Sequence, residues 1–214
     1  RINAEFFFKI YRKYDKYGKP EVYKSEPAQM GMEKFGKSLR LFHSQSFYYA
    51  KFNANNTILK FDQYIDILEK YGVNYTYLKK LMKIIGKYKD FECNAAVVNN
   101  YKGIDVRQIF MDQHNDLHII DPGKIKQGFS EMDIARFIVT CRILYWGTLA
   151  IIFRTVPSKS YEEYFLNGYY GLDERPSKML RLLIVKEMLK HWNMAHISLG
   201  KRKWPRCIKY ILRK

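Results

Sequence analysis

The apolar positions of this chain change period several times, and each change marks an element. Glu5-Phe6-Phe7-Phe8-Lys9-Ile10-Tyr11-Arg12 is a dense aromatic run with one lysine inside it, which predicts a strand. A polar stretch over 14–23, with Gly18 and Pro20, reads as a loop. Glu26-Pro27 then opens a helix running to about His43, since proline suits a first helical turn and Met30, Phe35, Leu39 and Phe42 recur at roughly helical spacing. Two β-prone runs follow, 46–52 and 57–61, and Asn53-Ala54-Asn55-Asn56 between them predicts a hairpin.

Past Asp62-Gln63-Tyr64 an amphipathic helical region extends to about Tyr88, broken at Gly72. Residues 95–98 make a short apolar strand, and 99–108 are irregular. A second hairpin is expected from 109–111 and 117–120 about a polar turn at 113–116. It ends in Asp121-Pro122-Gly123, where the proline and glycine force a turn directly after the acid. A loop then leads to Asp133, twelve positions after Asp121, in Met132-Asp133-Ile134-Ala135-Arg136-Phe137, which opens an apolar helix. The remainder reads as helices, with loops at 157–160 and 171–176. Strands in front and helices behind predict an α+β fold.

Composition narrows the partners. Lys+Arg 38 against Asp+Glu 21 gives a net charge of +17, which favours anions: nucleotide phosphates, acidic glycans or lipids, or nucleic acid. The basic residues are spread along the chain, so a solvated lysine-rich surface explains them equally well. Basic and aromatic residues do not gather in one strand-borne motif, which makes nucleic acid the least favoured partner. Three cysteines, widely spaced and without metal-ligand spacing, suggest reduced thiols and a cytoplasmic protein. The most apolar run, 143–153, is shorter than the about 20 residues that span a bilayer. No signal peptide is visible, and the chain opens on Arg1 rather than Met.

Asp121 is the first candidate for chemistry. A short apolar strand holds an acid rigidly at its end, and such an acid suits Mg²⁺, which takes one or two carboxylates together with phosphate oxygens. An ordinary turn whose Asp121 caps the backbone has the same pattern.

In this order the motifs resemble the aminoglycoside phosphotransferase and choline kinase superfamily, which has the protein-kinase-like fold. The resemblance runs from about Phe6 onward and rests on scattered motifs. Phe7-Phe8-Lys9-Ile10-Tyr11 resembles the strand whose lysine holds the nucleotide phosphates. Glu26 resembles the helix glutamate that pairs with that lysine, with Glu33 as its competitor. Leu59-Lys60-Phe61-Asp62-Gln63-Tyr64 is similar to the strand and hinge where adenine docks, placing Asp62, Gln63 and Tyr64 in cofactor binding. Asp121-Pro122-Gly123 resembles the metal-binding acid and its turn. Asp133-Ile134-Ala135 is similar to a helix start whose acid is structural, and Phe165-Leu166-Asn167-Gly168-Tyr169 to a helix common in bacterial members.

The resemblance implies a bilobal fold: a partial N-lobe and hinge over 1–64, and a helical C-lobe over 65–214. It implies ATP and Mg²⁺ as cofactors and a Gly-rich loop upstream of Arg1. One departure concerns the catalytic loop, which pairs an Asp with a metal-binding Asn five residues beyond it. Anchoring on Ile109-Phe110-Met111 puts Gln108 at the Asn and Gly103 at the Asp, so no acid stands where the base is expected. Asp105, two residues later, is the candidate substitute. A second register through His114-Asn115-Asp116-Leu117-His118 is rejected, because 124–128 is too polar for the further hydrophobic hairpin it needs. His114 and His118 then read as solvated.

Bland readings stand beside the sharp ones. Lys9 also fits a snorkelling edge-strand lysine. Glu26 also fits a helix N-terminal acid. The basic set Arg181, Lys186, Lys190, Lys201, Arg202 and Lys203 is either a solvated face or a patch for an anionic acceptor or an acidic membrane surface. The expected function is an ATP- and Mg²⁺-dependent phosphotransferase (a kinase) acting on a hydroxyl of a small molecule, saccharide or glycolipid. The alternatives are a pseudokinase-type nucleotide-binding or scaffolding module and, last, a basic nucleic-acid-binding protein.

Overall fold

A computed structural model describes residues 26–73, 75–112, 114–121, 123–148, 158–171 and 176–199. Lys9 and the strand expected around it lie outside the described residues. Within them the fold is α+β, with six helices and five short strands. The helices are α1 (Glu26–Ser44), α2 (Ala54–Lys70), α3 (Tyr75–Gly86), α4 (Glu131–Thr148), α5 (Ser158–Tyr170) and α6 (Lys178–Leu199). The strands are β1 (Phe47–Asn53), β2 (Glu92–Tyr101), β3 (Ile109–Met111), β4 (Leu117–Ile119) and β5 (Ile125–Phe129).

The expected hairpin at 46–61 does not form. β1 is a strand, but residues 57–61 lie in α2, and β1 pairs antiparallel with β2 instead. Asn53 decides the outcome. Its backbone is extended and its side chain accepts the Asn55 N–H at 2.8 Å, so it caps a helix rather than entering a turn. Asn55 in turn exchanges hydrogen bonds with Asp90, tying the start of α2 to the turn before β2. Ala54, Thr57, Phe61, Ile65 and Leu68 are buried at helical spacing along α2. Asp62, Gln63 and Tyr64 therefore sit on a continuous helix, Asp62 and Gln63 facing solvent, and not on an extended hinge.

Two antiparallel sheets carry the rest. β2 is the centre of a three-stranded sheet, with β1 on one side and β5 on the other. β3 and β4 form the expected second hairpin, with Ile109 opposite Ile119 and Met111 opposite Leu117. The expected loop after Gly123 holds a strand, β5, whose Gln127 and Gly128 pair with Asn99 and Val98. Its polarity, which argued against a strand, is that of an edge with Ile125, Lys126 and Gln127 exposed.

The helices pack through aromatic side chains. Phe35 of α1, Phe137 of α4 and Phe165 of α5 are fully buried, with ring centroids 4.4–5.6 Å apart. Gly36 and Gly168 sit where α1 crosses α5, each with the backbone of the other helix where a β-carbon would stand. Met30, expected in the core, is exposed, and Met32 is buried instead. α2 and α4 both pack on α6. One hydrophobic cluster runs through α1, α2, α3, the 104–111 segment, α4, α5 and α6. The expected boundary at 64 falls inside α2, with Phe61 and Ile65 on either side of it in that same cluster. No described helix is long and apolar enough to cross a membrane.

Candidate metal and loop site

The site begins where β2 ends. The Tyr101 N–H donates to the Asp133 carboxylate at 2.6 Å, and Asp133 is completely buried near the start of α4. Arg136, nearly one turn on, donates through Nη1 to the carbonyl oxygens of Tyr101 (2.9 Å) and Lys102 (2.6 Å). One helical turn thus satisfies a donor and two acceptors of a chain that is leaving its sheet and losing ladder partners. His43 stands behind Asp133, its Nε2 3.5 Å from the carboxylate and its Nδ1 2.8 Å from the Tyr169 hydroxyl. Phe42 stacks on Tyr101 with centroids 4.2 Å apart. α1, α4 and α5 therefore brace the same loop.

Residues 102–108 follow. The Lys102 N–H bonds the Lys124 carbonyl at 2.9 Å, Ile104 and Val106 are buried, and Val106 N–H reaches Thr140 Oγ1 at 3.3 Å. A short 3₁₀ turn over Val106–Gln108 closes when Gln108 N–H bonds the Asp105 carbonyl at 2.9 Å. Gln108 is then held against the end of the hairpin. Its carbonyl accepts the Ile120 N–H at 2.8 Å, and its Nε2 donates to the Asp121 carbonyl at 2.8 Å. The two predicted metal residues, thirteen positions apart, are clamped together. Gln108 Oε1 is buried and has no hydrogen-bond partner among the described residues.

Asp121 and Gly123 both take left-handed backbone, at φ 50 and 73. Aspartate tolerates that region better than most residues, and glycine takes it freely. A β-carbon on Gly123 would lie 3.1 Å from the Gly103 nitrogen and 3.3 Å from its Cα. The acid-bearing turn thus rests against the loop backbone at Gly103. Asp121 itself is exposed.

The candidate donors are the exposed Asp121 carboxylate and the buried Gln108 Oε1, on residues joined through the Asp121 backbone carbonyl. That set suits Mg²⁺, which keeps waters and takes phosphate oxygens to complete its shell. Among the described residues no three His, Cys, Asp or Glu side chains converge on a metal, so a cation here depends on oxygens brought by a ligand.

The other predicted residues fall elsewhere. Asp105 is half-buried on the loop, and its charge acts on groups of α4 and α6. Burial first, then Glu162 and Asp105, push the Cys141 thiol well above its ordinary value. Glu26 opens α1, and Glu33 pairs with Lys37 at 2.6 Å on that helix. His118 is not solvated alone: its Nε2 lies 3.0 Å from Asp112. That bond, with N–H donors from Asp116 and His114, lowers the Asp112 carboxyl from its ordinary 3.8 to about 2. The roles of His43 and Arg136 carried no sequence signal, because their partners are backbone groups and helices distant in the chain. No protein-family model matches the chain and no curated protein matches it significantly, and the site stands on its own geometry.

Proposed function

We propose that the chain is an ATP- and Mg²⁺-dependent phosphotransferase acting on a hydroxyl of a small molecule, saccharide or glycolipid, on a bilobal protein-kinase-like plan. The supporting observation is the contact between Gln108 and Asp121, in the order strand, loop, hairpin, acid turn, returning strand. Kinases hold Mg²⁺ with a catalytic-loop amide and an acid that follows, and these two positions correspond to Gln108 and Asp121. Asp121 is the main ligand and Gln108 Oε1 the second. Bound there, Mg²⁺ would supply charge neutralisation for the phosphoryl group. The resemblance assigns the nucleotide phosphates to Lys9 and the role of its acidic partner to Glu26. Asp105, the one carboxylate between Tyr101 and Gln108, orients the acceptor hydroxyl.

General-base catalysis contributes only about 10²–10⁴-fold, and most of phosphoryl transfer is positioning and electrostatics. A displaced acid is therefore compatible with turnover. A second reading, nucleotide binding without transfer, has its own support. Gly103 lies against the Gly123 backbone at the expected base position, while the Asp105 charge acts toward Cys141 and His191. ATP turnover separates the two. Phosphotransfer predicts Mg²⁺-dependent phosphoryl transfer to an acceptor, or slow ATP hydrolysis, by the wild type, cut about 10²–10⁴-fold in Asp105→Ala. Unchanged turnover in Asp105→Ala rejects the base role, and Mg²⁺-ATP binding with no wild-type turnover across many acceptors selects the second reading.

A further inference from the structure

Arg136 reaches beyond the loop it braces. Its Nε is buried without a hydrogen-bond partner among the described residues and lies 3.8 Å from Glu187 Oε2 on α6. Lys190 Nζ stands 3.1 Å from the same oxygen. Glu187 is only 6% exposed, so one buried carboxylate already serves two cations.

A third cation adjoins them. Lys186 is half-buried on α6 and has neither hydrogen bond nor ion pair among the described residues. Its pKa is lowered by burial first; Glu187, the strongest nearby charge, opposes this, and the weaker like charges of Lys190, Lys60 and Arg136 add to the lowering. Exposed Lys60 of α2 is likewise without an ion pair among the described residues. His191, one residue past Lys190, is lowered by burial and then by Lys190, with Glu187 and Asp105 opposing.

Arg136 and Lys190 are matched by Asp133, 3.9 Å from Arg136, and by Glu187. Glu187 also acts on Lys186, so two carboxylates, Asp133 and Glu187, stand against the four cations Lys60, Arg136, Lys186 and Lys190. Holding a half-buried ammonium among like charges opposes folding. An anion of charge near −2 would relieve it, and lysines serve phosphate well as point charges.

We infer that Lys60, Arg136, Lys186 and Lys190, where α2, α4 and α6 meet beside the start of the 102–108 loop, bind a phosphomonoester group. The group belongs either to a soluble phosphorylated ligand or to a lipid headgroup. The inference needs neither Mg²⁺ nor Asp121 and so does not depend on the phosphotransfer reading.

The test is binding to the full chain in EDTA, with two probes. Glycerol 3-phosphate is titrated by calorimetry, and vesicles of phosphatidylcholine with or without phosphatidic acid are co-sedimented. Lys186→Met lowers affinity about tenfold or more, the size expected for a lost bond to a charged group. Lys186→Arg and Asp121→Asn leave it intact. Lys79→Met, on an exposed lysine of α3, controls for net charge. A loss confined to Lys186→Met with glycerol 3-phosphate assigns a soluble ligand, and one seen only with phosphatidic acid vesicles assigns a headgroup. Binding of neither probe by the wild type, or equal weakening by Lys186→Met and Lys79→Met, overturns the site.

Discussion

Asp121 combines a left-handed backbone with an exposed carboxylate, and the two properties separate by substitution. Asparagine accepts positive φ about as well as aspartate, so Asp121→Asn removes the charge and keeps the turn. Alanine does not, and Asp121→Ala is expected to lose about 1 kcal/mol in urea unfolding while Asp121→Asn loses little. Asp112 offers a second test at this scale. Its carboxyl is depressed in the folded state, so its contribution is present above about 4 and lost as pH falls toward 2. His118→Ala should move the Asp112 carboxyl back toward its ordinary range in an NMR titration. An unmoved carboxyl would show that the N–H groups of Asp116 and His114 suffice. The turn at Asp121 was legible because proline and glycine follow the acid directly in the sequence. His118 was not, because its partner is fixed by hairpin geometry and not by spacing.

At the scale of elements, the crossing of α1 over α5 rests on two glycines. A β-carbon at Gly168 would fall on the Glu33 carbonyl, and one at Gly36 on the Phe165 carbonyl; neither backbone can yield by changing a rotamer. Gly168→Ala is expected to cost about 1–3 kcal/mol through overpacking. Gly86→Ala, with nothing near its β-carbon, should be neutral or stabilising. Equal melting of the two variants would refute the crossing. Elements with one dominant signal were legible: α1 was expected over 26–43 and runs to Ser44, Gly72 parts α2 from α3, and the 109–119 hairpin stands in place. Two elements, α2 over 57–61 and β5, depart from the sequence expectation. Asparagine serves helix caps as readily as turns, and the buried spacing of Phe61, Ile65 and Leu68 outweighs the β-prone composition of 57–61. β5 escaped because an edge strand facing solvent is polar.

Across the whole molecule the sequence carried the α+β class but not the arrangement, since α2 and α3 separate β1 from β2, and β5 closes back on β2. Those pairings, set by contacts far apart in the chain, bring the 102–108 loop to the Asp121 turn. Thermal unfolding with Mg²⁺-ATP, and with ATP plus EDTA, tests the function proposed for that junction most directly. A ligand at about 100 times its Kd stabilises by about 2.7 kcal/mol. Wild type should gain stability of that order with Mg²⁺-ATP, most of it lost in EDTA, and Asp121→Asn should lose the Mg²⁺-dependent part while melting like wild type without ligand. No shift in the wild type, or an equal Mg²⁺-dependent shift in Asp121→Asn, would contradict a metal-nucleotide site at Asp121.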